Sequence, residues 1–142
     1  MKKMLPGLRL LLALFVWGQA PAWQAAVAIG GGNAISAIAA GAGSDVFVAG
    51  SFQGAATFGS ISLTSAGSTD AFVAKLTDAG SSTGFVWAIA AGGSGNDLAT
   101  ALAVRNGPVY AAGDFSGVAR FAPFTLAPTA SPPASPTASW PP

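Results

Sequence analysis

Apolar residues in this chain come in runs of four to eight, cut off by Gly, Asn, Asp and Ser clusters, a signature of β-strands separated by tight turns. The runs predict strands at 25–29, 35–40, 46–52, 56–63, 71–76, 85–91, 98–104, 109–115 and 119–126. Turns are expected at Gly30-Gly31-Gly32-Asn33, Gly41-Ala42-Gly43-Ser44-Asp45, Asp78-Ala79-Gly80-Ser81, Gly92-Gly93-Ser94-Gly95-Asn96 and Asn106-Gly107-Pro108. In Val46–Ala49 and Ala71–Leu76 the apolar residues occupy both faces, which predicts strands covered on both sides, as in stacked sheets. For Ala34–Ala42 and Asp97–Arg105 the spacing also permits helix; the β-structure on either side favours strand. The expected class is all-β, built of antiparallel sheets.

The runs are not independent of one another. Val46-Phe47-Val48-Ala49-Gly50-Ser51-Phe52-Gln53-Gly54 returns 63 positions later as Val109-Tyr110-Ala111-Ala112-Gly113-Asp114-Phe115-Ser116-Gly117. Phe58 falls on Phe121 and Leu63 on Leu126; upstream, Asn33 falls on Asn96, Ile35 on Leu98 and, across one inserted residue, Trp23 on Trp87. Even spacing of this kind marks one folding unit copied. Three segments follow: 1–22 as a signal peptide, 23–126 as two repeats with the second truncated, and 127–142 as a Pro-rich low-complexity tail.

The signal reading rests on Lys2, Lys3 and Arg9 ahead of the apolar run Leu10–Trp17, then Ala20-Pro21-Ala22 as an A-x-A cleavage site, with cutting after Ala22. The run is too short to span about 30 Å of hydrocarbon at about 1.5 Å per residue. Removing the N-terminus leaves Lys75, Arg105 and Arg120 against Asp45, Asp70, Asp78, Asp97 and Asp114, a net charge of −2. With no basic patch, nucleic acid is not an expected partner. The chain has no Cys and no His, which excludes disulfides, thiolate or imidazole metal sites and every Ser-His or Cys-His catalytic pair. An exported protein of the bacterial envelope or exterior is expected.

The assembled motifs resemble the SBBP-type bacterial β-propeller repeat family. The residues that carry the likeness are Trp87, Gly92-Gly93-Ser94-Gly95-Asn96-Asp97, Val109–Phe115, Phe58-Gly59, Leu63-Thr64-Ser65-Ala66-Gly67 and Asp70-Ala71-Phe72-Val73-Ala74-Lys75-Leu76, the last being the most specific. The resemblance covers nearly all of 23–126. It implies four-stranded blades in a secreted or surface protein and brings no assigned activity. Propellers close with 4–8 blades, and two repeats fall short, so either several chains assemble or the sequence is part of something longer. In the second repeat, proline-rich sequence stands where a second D-A-F-V-A-K-L run is due. Read one nucleotide earlier, the codons of Thr137-Ala138-Ser139-Trp140-Pro141 permit Asp-Gly-Phe-Val-Ala; a frameshifted remnant and an ordinary linker both stay open.

Candidate chemistry is sparse. Gly92–Thr100 matches one G-G-x-G-x-D-x-U-x nonapeptide of a calcium β-roll, but no tandem copy adjoins it and the expected counterpart of Asp97 is Ala34, so a turn is the preferred reading. Asp70 is expected to cap a turn and Lys75 to reach solvent at a strand end; a catalytic Lys75 would need a perturbing neighbour that the sequence does not suggest. Asp45, Asp78 and Asp114 sit in or near turns where Asp bonds its own backbone. Trp23, Trp87, Phe52, Phe115, Phe58, Phe121 and Tyr110 recur at the repeat period and are expected to pack between blades, with sugar-stacking platforms as the rival. No catalytic, cofactor-binding or metal residue is assigned. The expected function is an exported, non-enzymatic β-propeller-type repeat protein, a fragment of a longer one, with a structural or interaction role, its partners being copies of itself or a protein or glycan at the cell surface; the alternative is a surface binding module for glycan or protein ligands.

Overall fold

The computed structural model describes residues 26–80 and 82–128. The signal segment, Trp23, Ser81 and all but the first two residues of the tail lie outside the described residues. The described chain is strands and turns with no helix: β1 (Ile29–Ala40), β2 (Asp45–Phe58), β3 (Ile61–Thr64), β4 (Asp70–Asp78), β5 (Thr83–Gly93), β6 (Leu98–Val104), β7 (Val109–Asp114), β8 (Ala119–Phe121) and β9 (Phe124–Leu126). Every ladder between them is antiparallel. β1, β2, β4 and β5 lie side by side in that order, β3 folds back on the end of β2, and the last residues of β5 pair with β8, which pairs with β9. β6 and β7 form a separate hairpin.

Both faces of β2 and β4 are covered. On one, Val48, Phe52, Ala56, Phe58, Phe72 and Ala74 form a core closed by Ile61 and Leu63 of β3 and by Phe85. Phe72 sits at its centre, its ring 6.3 Å from Phe52 and 4.9 Å from Phe58. On the other face, Ala49 and Ala71 pack against Ala99 and Leu102 of β6. Small side chains there let the two backbones approach closely, which is why so apolar a composition needs so few large residues.

Several expected boundaries move. The turn placed at Gly30–Asn33 is absorbed into β1, which carries the expected strand 35–40 back to Ile29; of the expected strand 25–29, residues 26–28 lie ahead of β1 outside any strand and Ala25 lies outside the described residues. The glycines serve a bulge instead: the register skips between Gly31 and Gly32, and Gly31 has φ +97°, a conformation that costs little without a Cβ. The expected strand 56–63 is a hairpin with Gly59-Ser60 as its two-residue loop, Phe58 opposite Ile61. Likewise 119–126 bends at Ala122-Pro123, with Phe121 opposite Phe124. Ala34–Ala40 and Leu98–Val104, where helix competed, are strands.

The two copies share their hairpins. Phe58–Ile61, Thr57–Ser62 and Ala56–Leu63 correspond at 63 residues to Phe121–Phe124, Arg120–Thr125 and Ala119–Leu126. In the first copy the ladder passes from Ile35–Gly50 to Ala37–Ala49, leaving Ser36 as a bulge; in the second it passes from Ala99–Gly113 to Ala101–Ala112, leaving Thr100. A Cβ on Gly50 would strike the Ala34 carbonyl, and one on Gly113 the Leu98 carbonyl, which explains the glycine shared by both copies. These bulges place Thr100 on Ser36 and Asp97 on Asn33, one position away from the sequence alignment that set Asn96 on Asn33, Leu98 on Ile35 and Asp97 on Ala34. The offset arises in the link beyond the last ladder pair, residues 41–45 between Ala40 and Val46 in one copy and only 105–108 between Val104 and Val109 in the other. Gly30 and Gly31 face Thr57 and Ala56 as Gly92 and Gly93 face Arg120 and Ala119. Three residues then separate Gly93 from Asp97 where only Gly32 separates Gly31 from Asn33. This longer link cuts the counterpart of β1 into the end of β5 and a separate β6.

Candidate binding surface

What differs between the copies is what lies beside the repeated strand. β2 is flanked by β1 and β4, whereas among the described residues β7 is paired with β6 alone. The same motif is therefore buried once and open once: Phe47 is 5% exposed, its counterpart Tyr110 59%. Ala49 is fully buried and its counterpart Ala112 exposed. The alternation of an antiparallel ladder shows which groups are open. The Arg105 N–H donates to the Pro108 carbonyl, so Tyr110 and Ala112 bond to β6 while Val109, Ala111 and Gly113 turn their N–H and C=O groups outward.

Beside this edge lies a cavity of about 740 Å³. Val73 and Trp87 from β4 and β5 form one wall, β7 another, and Phe115, Phe121 and Phe124 close the end. Phe115 and Phe121 meet edge-on at 6.3 Å; among the described residues no third aromatic ring joins them as Phe72 joins Phe52 and Phe58. Asp114 is the single charged residue of the lining among the described residues. The other polar groups at the mouth include the free main-chain groups of β7 and the Tyr110 hydroxyl. An apolar trough beside an unpaired strand edge suits an extended peptide, which supplies its own ladder partners, better than a sugar, which needs several side-chain hydrogen bonds.

A second cluster sits where the copies join. Asp97 is fully buried; its Oδ2 accepts the Gly93 N–H at 2.8 Å and its Oδ1 the Ser116 N–H at 3.0 Å. Its counterpart Asn33 also reaches back along the chain, donating to the Gly31 carbonyl at 2.9 Å. Asp70, 2% exposed, accepts the Ala66 N–H through Oδ2 at 2.9 Å, the turn-capping role expected of it. Its Oδ1 is buried with no hydrogen-bond partner among the described residues. The two carboxylates face each other across Gly92, where a Cβ would stand 2.7 Å from Asp70 Cγ and 2.9 Å from Asp97 Oδ2. Three of the four carboxylate oxygens are thus engaged by main-chain N–H groups, whereas calcium takes 6–8 oxygens. Asp97 acts as the pin of a turn, and the nonapeptide resemblance follows from that turn's need for Gly and Asp.

The remaining sequence candidates have structural partners. Lys75 Nζ lies 2.7 Å from Asp45 Oδ2 and 5.9 Å from the centre of the Phe47 ring, which in turn packs on Trp87. The expectation that Lys75 reaches solvent at a strand end holds only in part, because Lys75 lies inside β4 between Phe47 and Trp87 and the ion pair keeps it half-buried. That contact, with the Thr77 hydroxyl at 2.7 Å, holds the Asp45 carboxyl below its ordinary range. The Gly80 N–H and the Thr83 hydroxyl do the same for Asp78. Asp114 is exposed on β7. Phe52 and Phe58 are core, but within the first sheet on the face away from β6 and not between the copies as expected; Phe115 and Phe121 are half-buried and Tyr110 is open. Ser65, part of the repeat motif, accepts the Gly54 N–H at 2.9 Å and donates to the Gly67 carbonyl, clamping the bulge of β2. Its counterpart at the repeat spacing is Pro128, which has no hydroxyl to do this. The trough was not foreseen as a site, although the missing second D-A-F-V-A-K-L run was its signal. Among the described residues there is no group of three or more His, Cys, Asp or Glu placed to hold a metal, and no helix is long and apolar enough to cross a membrane. No protein-family model, curated protein or solved structure matches the chain.

Proposed function

We propose that this chain is an exported, non-enzymatic repeat protein of the β-propeller type, with a structural or interaction role at the bacterial cell surface. The observation that carries this reading is the repeated motif, enclosed by neighbouring strands in the first copy and left with an open edge and an apolar trough in the second. Such an edge invites another polypeptide. The run β1-β2-β4-β5, each strand beside the next, is the arrangement a four-stranded blade requires, and the alanine-lined stacking of β6 on that sheet is compatible with blade-on-blade packing. The SBBP-type motifs support the same reading. Export is supported by the basic and apolar N-terminal segment. The test is to express the full chain in a bacterial host, fractionate the cells and sequence the N-terminus of the exported form. The chain is expected in the envelope or medium, beginning at Trp23; unprocessed cytosolic protein would overturn the export reading. Photocrosslinking from the Tyr110 position on exporting cells tests the interaction role, with a discrete polypeptide adduct expected. The second reading is a surface binding module for glycan or protein ligands, and the trough favours protein; specific retention on a glycan array would reverse that preference.

A further inference from the structure

We propose that the open edge of β7 is a strand-acceptor site whose ligand is an extended segment of the β4 type, a D-A-F-V-A-K-L-like strand presented by another polypeptide. This rests on the interaction reading above and names the partner's chemistry and register. The template is inside the molecule. β2 holds β4 antiparallel through the pairs running from Asp45–Thr77 to Phe52–Asp70, with Phe72 opposite Gly50. β7 repeats the sequence of β2, faces the same bulge across its ladder and keeps the same alternation of bonded groups, so an incoming strand meets Val109, Ala111 and Gly113 as β4 meets Val46, Val48 and Gly50.

The side chains agree with that register. A phenylalanine set opposite Gly113 reaches Phe115 and Phe121, as Phe72 reaches Phe52 and Phe58. The residues on either side of it turn to the other face, where Ala71 and Val73 in the first copy meet Ala99 and Leu102 of β6. Gly113 cannot carry a side chain of its own, because of the Leu98 carbonyl, and it leaves room for the incoming ring. The chain's own tail is a poor occupant. At the repeat spacing Pro133, Pro136 and Pro141 stand where β4 has Asp70, Val73 and Asp78, and proline cannot donate to a ladder.

The test uses the full chain and a synthetic peptide with the sequence of residues 68–78, followed by calorimetry and amide hydrogen exchange. The expected result is saturable one-to-one binding with new protection at Val109, Ala111 and Gly113. Replacing the peptide's phenylalanine by aspartate is expected to weaken binding at least tenfold. In the protein, Ala111→Pro removes one outward N–H and leaves the bonds between β6 and β7 in place; it is expected to weaken binding at least tenfold with β6 exchange unchanged. No binding, equal binding of a scrambled peptide, or binding indifferent to Ala111→Pro would overturn the proposal. So would outward β7 amides already protected in the peptide-free chain, the signature of a second copy or the tail on that edge. If the peptide fails but crosslinks still form from the Tyr110 position, the interaction reading stands and the strand-acceptor site alone falls.

Discussion

At the residue scale, a few side chains hold the places where the chain leaves ideal strand geometry. Asp97 accepts two main-chain hydrogen bonds in full burial, and leaving a buried donor without its partner costs roughly 1–3 kcal/mol. Asp97→Ala is therefore expected to lower unfolding stability by about 2–4 kcal/mol in urea titration, with increased amide exchange at Gly93 and Ser116. Asp45 and Asp78 are held below the ordinary carboxyl value of 3.8 by the groups around them. A depressed carboxyl stabilises the fold above that value, and the contribution is lost as the pH falls through it and below. Stability measured down an acid series should fall below pH 3.8. The fall should be shallower in Asp45→Asn, which has given up the ionised form beforehand; an identical acid limb in the variant would refute the role given to the Lys75 pair.

At the element scale, equivalent positions differ in worth because their neighbours differ. Phe58 lies in a closed aromatic cluster, so Phe58→Ala is expected to cost about 3–5 kcal/mol, the usual range for a buried phenylalanine. Phe121 has the same place in the repeat but, among the described residues, only Phe115 for an aromatic partner, and Phe121→Ala is expected to cost about half as much or less. Chemical denaturation of the two variants compares them directly; equal losses would mean that the second copy is as well enclosed as the first. The positions of strands and turns were largely legible from apolar runs and glycine clusters. The bulges were not. Gly30–Gly32 looks like a turn in sequence, and only the continuous pairing of β1 with β2 shows that those glycines bend a strand without ending it. The alignment of the copies slipped by one residue at β6 for a related reason: Asn33 and Asn96 match by letter, while Ser36 and Thr100 match by bulge.

On the scale of the whole molecule, the described chain divides into a four-stranded sheet whose central strands, β2 and β4, are covered on both faces and a second, partial copy stacked on it. Amide exchange should follow that division, with β2 and β4 exchanging most slowly and the outward amides of β7 at least a hundredfold faster. Uniform protection across both copies would contradict an open edge. For the site, the sequence held one clue, the missing D-A-F-V-A-K-L run of the second copy. It did not hold the location of the gap, since β4, β5 and the β8–β9 hairpin line the trough only once the chain has folded.

By itself the sequence determined that this is an antiparallel β-protein made of a copied unit, because strand periodicity, turn residues and internal repetition are local properties of the chain. Tertiary structure alone decided which copy is enclosed, which of its aspartates are buried against one another, and where an edge is left open. Those depend on pairings between residues distant in sequence, whose partners are set by packing and not by composition.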